Sequence, residues 1–375
     1  MGRRLKGDSQ VNQIEKRKDD HIRICLEEDV RAKKITSGFE DVFLLHRALP
    51  EVSRDKIDLS TEVFGHKFSA PVIVEGITGG TQKALKINAN IAQAVEALGL
   101  GMGLGSQRAA LEDPKLERTY SIARKKAPNA FLIANIGGPQ IRGEFGLEKV
   151  EKAVEMVDAD ALAVHLNPLQ EAVQPEGETD YTGIIVKIKE ITSALKLPVI
   201  VKETGAGISA EEAKKLKAVG VSGIDVAGAG GTSWAAVEYY RARQRGDQFG
   251  QEVGKDLWDW GIPTVVSLVE VVQSVDLPTI ASGGVRSGSD IAKALALGAV
   301  LAGFALPVLG PALKSSVEVE CKISIMLRQL RTVSFLVGAG SLEALKASPV
   351  VITGRTAEWL RARGFNLDVY ARRGG

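Results

Sequence analysis

From residue 70 onward, short apolar runs alternate with longer segments that have the pattern of amphipathic helices. Each run is apolar at consecutive positions, as in the strands of a parallel sheet that is buried on both faces. The runs predict strands at residues 71–76, 100–105, 130–138, 160–167, 198–205, 223–231, 278–284 and 299–305. Helical periodicity between them predicts helices that include Ala84–Leu98, Leu147–Val157, Ala210–Val219 and Ser287–Leu297.

Eight strand–helix units in about 240 residues predict a (β/α)8 TIM barrel. A doubly wound open sheet is the alternative, but it usually has a GxGxxG turn after its first strand, whereas GITGGT stands here at 76–81. We expect one catalytic domain over 70–375, preceded by a polar, irregular extension over 1–69 that contributes to the active site. Within the extension we predict a helix from about Gln10 to Lys33. The chain from Pro311 onward is predicted to be helical and to complete the outer ring, with an apolar register at Ile323, Met326, Leu327 and Leu330.

Two crossovers are longer than the others: Pro168–Thr182 after the fourth strand and Gly228–Gly261 after the sixth. Both leave the C-terminal face of the predicted barrel, where the active sites of such barrels lie. We interpret the second as a long loop that acts as a lid, with a packing or oligomer contact as the alternative. It holds Trp234, Tyr239, Tyr240, Phe249, Trp258 and Trp260.

Composition narrows the possible partners. A net charge of +2 gives no electrostatic footprint for nucleic acid or an anionic membrane, so neither is expected as a partner. Cys25 and Cys321 cannot form a disulfide framework or a cysteine-rich metal site, which suits a reduced, cytoplasmic location.

Residues 294–313 are uncharged and long enough for a bilayer, but they contain glycines and prolines. We interpret them as buried barrel segments.

Two glycine-containing loops point to a phosphate. SGGVRSGSD, at 282–290, follows the seventh predicted strand and opens a helix, and GFAL, at 303–306, follows the eighth. A helix N-terminus offers free N–H groups and a positive dipole end to an anion. Barrels often bind phosphate at these two loops. The alternative is a capped tight turn without a ligand.

Polar residues follow successive predicted strands and would ring the barrel mouth. A flat, hydrogen-bonding cofactor with a phosphate tail would suit such a ring. Lys202 ends an apolar strand, where its burial is costly unless it meets an anion; the alternative is a lysine that extends to solvent. The ring comprises Thr78, Ser106, Asn135, His165, Lys202 and Thr232.

Three further motifs are candidates for substrate chemistry. In HLNPLQE (165–171), Glu171 is placed to hold Mg²⁺, with His165 as a general-base or a purely structural histidine. RKDDH (17–21) forms a compact cationic cluster, for which charge alone favours a solvated helix face. In SQR (106–108), the arginine is suited to clamp a phosphate with two hydrogen bonds.

Together, RKDDH, GITGGT, GSQR, HLNPLQE, GAGGTSW and GGVRSG, in this order, resemble the type 2 isopentenyl-diphosphate isomerase family over residues 10–365. The resemblance implies an enzyme that interconverts isopentenyl and dimethylallyl diphosphate in isoprenoid biosynthesis. It also implies reduced FMN, Mg²⁺, NADPH as reductant and a homotetramer or homo-octamer. Ile77 stands where the family often has methionine. Glu75 is also uncommon in the family, and nothing in the sequence explains it.

The resemblance also assigns roles. Reduced FMN would be the acid–base group, with Gln170, His165 and Lys202 as catalytic residues and Glu171 as the metal ligand. The FMN contacts would be Gly76, Ile77, Thr78, Ser106, Asn135, Lys202, Thr232, Gly284, Val285, Arg286, Ala305 and Leu306. The substrate contacts would be Arg17, Lys18, Ser106, Gln107, Arg108, His165, Asn167 and Gln170.

Three other functions are alternatives. A 2-hydroxy-acid oxidase needs a histidine beside an arginine at the mouth, but GAGGTSW and GGVRSG contain no histidine. An inosinate-dehydrogenase-like enzyme needs a nucleophilic cysteine after the sixth strand, where neither Cys25 nor Cys321 lies. A non-catalytic diphosphate-binding scaffold stays open on sequence grounds, and uptake of FMN distinguishes it from the isomerase.

Overall fold

The computed structural model of the chain describes residues 2–143 and 145–374, with side chains described from residue 15 onward. Eight parallel strands close into a barrel, which confirms the predicted (β/α)8 fold and excludes the open sheet. Each predicted apolar run contains one of these strands. In chain order they are Val72–Val74, Gly101–Gly103, Phe131–Gly137, Ala161–His165, Val199–Lys202, Gly223–Asp225, Thr279–Ala281 and Leu301–Phe304.

Helices surround the barrel. The four predicted helices are found with ends that differ by no more than two residues. Short 3-10 turns lie at Phe39–Asp41, Arg54–Lys56 and Pro114–Leu116. The α-helices are Gly2–Glu27, Gln82–Leu98, Arg108–Glu112, Arg118–Lys126, Gly138–Arg142, Leu147–Val157, Pro168–Val173, Ile184–Ala194, Ala210–Ala218, Trp234–Arg245, Gln248–Asp256, Thr264–Ser274, Gly288–Ala296, Leu306–Lys314, Ser316–Leu336, Leu342–Lys346, Gly354–Ala362 and Asp368–Ala371.

The N-terminal 69 residues are more regular than predicted. A hairpin of Thr61–Val63 and His66–Phe68 packs its apolar side chains against the interior of the barrel strands and closes the end opposite the active-site face. A further strand, Val42–Leu44, pairs antiparallel with Val350–Ile352 near the C-terminus. These strands are three residues long, too short for an alternating pattern to be visible in the sequence.

The N-terminal helix ends at Glu27, six residues before the predicted end at Lys33. The chain beyond it hydrogen-bonds to the crossover after the sixth strand instead of continuing the helix. Ala32 N donates to Gly231 O over 3.1 Å, and Ser233 N donates to Val30 O over 2.8 Å. The end of this helix is therefore set by a tertiary contact.

The crossover Gly228–Gly261 is mostly helical, so its interpretation as a loop was wrong. It contains Trp234–Arg245 and Gln248–Asp256, whose first turns are capped by Ser233 and Asp247. Trp258 is buried, and its Nε1–H donates to Arg31 O over 2.9 Å. We call Gly228–Gly261 the aromatic insertion; it packs against the N-terminal helix above the barrel mouth.

Residues 294–313 span the end of one helix, the eighth barrel strand and nearly all of the next helix, as their interpretation as buried barrel segments requires. None of the described helices is long and apolar enough to cross a membrane. Ser316–Leu336 completes the outer ring. It buries Ile323, Met326 and Leu330 against the core, and half-buried Leu327 packs beside them.

Candidate active site

A cavity of about 280 Å³ lies at the C-terminal ends of the barrel strands. The strand register fixes part of its lining, because His165 pairs with Lys202 and Lys202 pairs with Asp225 in neighbouring strands. Their side chains therefore stand side by side at one level of the barrel mouth. The N-terminal helix and the start of the aromatic insertion supply other walls of the cavity.

Nearly all the predicted site residues line this one cavity. From the predicted FMN set, the lining residues are Gly76, Ile77, Thr78, Ser106, Asn135, Lys202, Thr232, Gly284, Arg286, Ala305 and Leu306. From the substrate and metal sets, they are Arg17, Lys18, Ser106, Arg108, His165, Asn167, Gln170 and Glu171.

The structure does not bring Gln107 or Val285 to the cavity. Gln107 is fully buried, and its Nε2–H donates to Ala153 O over 2.7 Å. Its Oε1 accepts from Asn135 N over 2.8 Å, so the side chain ties a surrounding helix to the third strand. Val285 is also fully buried and belongs to the apolar core. The side chains of both residues point away from the cavity.

The cationic cluster of the N-terminal helix lines the cavity instead of forming a solvated face. Lys18 Nζ donates to Tyr120 Oη over 2.7 Å and to Ser106 O over 3.1 Å. Burial, and then the neighbouring charge of Arg17, lower the pKa of Lys18 to about 7. His21 Nε2 lies 2.9 Å from Glu238 Oε1 in the aromatic insertion. These contacts hold the N-terminal helix over the barrel mouth.

Two partly buried guanidinium groups face the cavity and have no carboxylate partner among the described residues. Among the described residues, neither Arg17 nor Arg286 forms a salt bridge. Burial lowers the pKa of each, although arginine stays protonated. A buried charge is costly unless it meets an opposite charge. Arg108, in contrast, is bound by Glu112 over 2.7 Å and by Glu178 over 2.5 Å. Arg17 and Arg286 are therefore the stronger candidates for anion contacts.

Glu75 and Asp225 are charged residues at the mouth for which the sequence suggested no role. Lys202 Nζ lies 3.2 Å from Asp225 Oδ2 and 3.6 Å from Glu75 Oε2. Burial opposes the charge of Lys202, but the two carboxyl groups outweigh it and hold its pKa above the ordinary value. Glu75, Lys202 and Asp225 each follow or end an apolar run. This shared position is the sequence signal from which their proximity at the barrel mouth could have been predicted.

His165 is held neutral. Burial, and then the charge of Lys202, lower its pKa to about 3. Its Nδ1 lies 2.7 Å from Asn135 Oδ1, which can only accept, so Nδ1 carries the proton. Nε2 is then an unprotonated acceptor. A neutral imidazole can hydrogen-bond a ligand but supplies no positive charge to an anion.

The oxygen atoms around Glu171 suit a hard divalent cation. Its Oε1 accepts from Asn167 Nδ2 over 3.0 Å, and its Oε2 accepts from Gln174 Nε2 over 2.7 Å and from Glu178 N over 2.8 Å. Gln174 Oε1 is buried beside it and has no hydrogen-bond partner among the described residues. Among all the residues that the structure describes, no group of three or more His, Cys, Asp or Glu side chains is arranged to hold a metal ion. A Mg²⁺ ion bound here would take its remaining ligands from substrate oxygens and water.

Comparisons with known proteins agree with this arrangement. The sequence profile of the family described as FMN-dependent dehydrogenase matches residues 11–131 and 146–352. The chain thus belongs to the FMN-dependent barrel enzymes, the class that its fold and polar mouth define.

Within this class the chain belongs to the isopentenyl-diphosphate delta-isomerase family, a family of isomerases, as the sequence motifs predicted. It is 52% identical over 361 residues to the isopentenyl-diphosphate delta-isomerase of Methanosarcina barkeri, a match that covers 96% of this chain and 98% of the relative. The relative of the same name from Pyrococcus furiosus is 50% identical, with 92% of this chain and 89% of the relative covered.

Solved structures agree on the fold. A flavocytochrome b2 variant with sulfite bound has a TM-score of 0.66 at 21% identity, covering 92% of this chain and 85% of that chain. A lactate oxidase of Pediococcus acidilactici has a TM-score of 0.62 at 18% identity, covering 93% of this chain and 94% of that chain. At these identities the likeness concerns the barrel and not the reaction.

Proposed function

We propose that this chain interconverts isopentenyl diphosphate and dimethylallyl diphosphate, using reduced FMN and Mg²⁺, as a step of isoprenoid biosynthesis. The reaction moves a double bond by one carbon, so a proton is added at one carbon and removed at another. No net electrons are transferred. The site must therefore bind two phosphate-bearing molecules and keep water away from a developing carbocation.

The observation that carries this proposal is a pair of partly buried arginines, Arg17 and Arg286, that line the cavity and form no salt bridge among the described residues. They belong to separate neighbourhoods of one cavity: Arg17 lies among Glu176, Arg241 and Glu171, and Arg286 lies beside Asp290. Two phosphate-bearing ligands would satisfy both charges. Arg286 would meet the phosphate of FMN, and Arg17 the diphosphate of the substrate.

The other predicted FMN contacts suit the ring system. Gly76, Ile77 and Thr78 come from one strand end, and Ser106, Asn135, Lys202 and Thr232 offer hydrogen bonds around the mouth. Bound reduced FMN would supply the acid–base group for the alkene and an electron-rich surface beside the cation. The Lys202 ammonium would stabilise negative charge on the ring. NADPH is the reductant that we propose.

The substrate contacts divide into diphosphate and alkene groups. Lys18, Arg108 and Arg17 would neutralise the diphosphate, and the neutral His165 would accept one hydrogen bond at Nε2 without adding charge. Gln170 Oε1 accepts from Asn167 Nδ2 over 3.1 Å, which fixes the amide. Gln170 would orient the alkene end, since an amide is not a proton donor of useful acidity.

Glu171 would hold Mg²⁺, and the ion would supply positive charge to the substrate diphosphate. Asn167 and Gln174 orient the carboxylate. Gln174 Oε1, which has no partner within the described part of the chain, is a second oxygen available to the ion. In this proposal residues 1–69 form an extension that contributes to the active site through its N-terminal helix, and residues 70–375 form the barrel domain. We also propose a homotetramer or homo-octamer acting in the cytoplasm, where Cys25 and Cys321 stay reduced; both are free thiols.

The test is anaerobic incubation of the protein with FMN, dithionite, Mg²⁺ and isopentenyl diphosphate, with the products identified by NMR. We expect dimethylallyl diphosphate, many turnovers per equivalent of dithionite, and no turnover with oxidised FMN. With NADPH in place of dithionite, consumption of one NADPH per product would instead identify an oxidoreductase. Protein that binds no FMN would support a non-catalytic scaffold.

A further inference from the structure

Three ionisable side chains from three strands meet beneath the cavity. Glu75 follows the first barrel strand, whereas Lys202 and Asp225 end the fifth and sixth. In a closed barrel of eight strands, the first and fifth are on opposite sides, so the Glu75 side chain reaches across the interior. Gly303 makes this possible, because a Cβ there would lie 2.3 Å from Glu75 Oε1.

The cluster has more negative than positive groups. Two carboxyl groups share the Lys202 ammonium. The Asp225 side chain is buried, and those of Glu75 and Lys202 are each 12% exposed. Asp225 has further donors, since its Oδ1 accepts from Ser282 Oγ over 2.6 Å and from Ala227 N over 3.3 Å. Glu75 has the longer contact to Lys202, so it is the member of the cluster that most readily takes a proton.

We propose that Glu75 binds a proton when negative charge enters the cavity beside Lys202, and so balances the charge of the reduced flavin. The inference rests on the proposed use of FMN. Reduction of FMN to its anionic form takes two electrons and one proton. A second proton would form the O–H bond of the Glu75 carboxyl group, and dithionite would supply both electrons.

The environment of Glu75 favours this role. Burial, and then the charge of Asp225, raise its pKa to about 8 in the chain without ligands. A negative charge placed beside Lys202 would raise this pKa further, because it competes for the same ammonium. Proton uptake on reduction is then expected above about pH 8, where Glu75 is ionised beforehand.

Other titratable groups near the cluster do not take this role. Glu203 also faces Lys202, and burial raises its pKa to about 7, but its Oε2 accepts from the backbone N–H groups of Thr204, Gly205 and Ala206. Three such donors favour the ionised form. His165 stays neutral, and the eighth strand, Leu301–Phe304, contains no titratable residue.

The experiment is a spectroelectrochemical titration of the FMN-loaded protein at pH values on both sides of 8. Below about pH 8 we expect the equilibrium constant for reduction to fall tenfold per pH unit, and above it hundredfold. These factors correspond to about 30 mV and about 59 mV per pH unit for a two-electron couple. Glu75→Gln should show the tenfold dependence throughout. Glu270→Gln, which changes a buried carboxylate outside the cavity, should keep the wild-type change from tenfold to hundredfold per pH unit near pH 8.

An infrared difference spectrum of reduced minus oxidised protein above pH 8 provides a second readout. We expect the carbonyl stretch of a protonated carboxyl group in the wild type and its loss in Glu75→Gln. A wild-type dependence of tenfold at all pH values, or a carbonyl band that persists in Glu75→Gln, would overturn the inference about Glu75. If the protein bound no FMN, the proposed function would be overturned together with it.

Discussion

His21 Nε2 lies 2.9 Å from Glu238 Oε1, a contact between side chains 217 positions apart in the sequence. It joins the N-terminal helix to the aromatic insertion across the top of the cavity. Burial opposes the charge of Glu238, but His21 and Arg241 outweigh it and hold the pKa of this carboxyl below its ordinary value. The N-terminal helix and the aromatic insertion, which both lie over the site, are thus bound to each other as well as to the barrel.

Replacing Arg17 with alanine tests the assignment of the N-terminal helix to the substrate. We expect substrate affinity to fall by roughly 1.5–3 kcal/mol, at least about tenfold, because a charge-assisted hydrogen bond is lost. FMN affinity and thermal stability should hardly change, since Arg17 has no salt bridge among the described residues. Binding isotherms for substrate and FMN would measure both.

Arg23 provides the matched control on the same helix. It pairs with Asp20 and Glu27 and does not line the cavity, so Arg23→Ala should leave substrate affinity unchanged.

Trypsin should also cut near Arg17 more slowly with FMN, Mg²⁺ and substrate present, because bound ligand holds the helix in place. Equal affinity losses in both variants, or cleavage independent of ligand, would contradict the assignment.

Lys18 predicts a pH dependence of substrate binding. Its pKa of about 7 in the free protein means that it is charged only below that pH. A diphosphate beside it would raise this pKa, so binding takes up a proton above pH 7 and affinity should fall by up to tenfold per pH unit there. Lys18→Met should remove this part of the dependence. Lys16→Met, at an exposed position on the same helix, should retain it. Identical pH profiles for the wild type and Lys18→Met would refute the prediction.

The barrel was predictable from sequence because buried parallel strands are continuously apolar and glycine or polar residues end them. The polar ring followed from the same pattern, since successive strands end at one face. Where the sequence prediction failed, tertiary contacts decide the outcome. The N-terminal helix ends at Glu27 because the chain beyond it hydrogen-bonds to the aromatic insertion.

Side-chain direction was harder to predict than position. Ser106, Gln107 and Arg108 are consecutive, but Gln107 points toward the helix Leu147–Val157, and no local pattern distinguishes it from its neighbours. The Glu75 carboxyl was visible as a charge after an apolar strand. Its partner Lys202 comes from the opposite side of the barrel, which only the closed fold reveals.

Glu171→Gln tests the metal site. The amide keeps the shape of the side chain but removes its charge, so we expect a sharp loss of activity and a Mg²⁺ requirement raised by at least roughly tenfold. FMN should stay bound, as its absorbance would show. Gln174→Leu, which removes a group that orients the carboxylate, should raise the Mg²⁺ requirement with a smaller loss of activity. Mg²⁺ titrations that coincide with the wild type would remove Glu171 from the metal site.

Glu75→Gln should change how stability depends on pH in the protein without FMN. The pKa of Glu75 is raised from 4.5 to about 8 on folding, so the folded state binds more protons than the unfolded state between these values. The wild type should therefore lose stability as pH rises from about 4.5 to about 8, whereas an amide has no proton to lose. Relative to the wild type, we expect the variant to gain roughly 2–4 kcal/mol in unfolding free energy over this interval. Urea unfolding at a series of pH values measures the difference, and a difference that does not change with pH would show that Glu75 has an ordinary pKa in the folded protein.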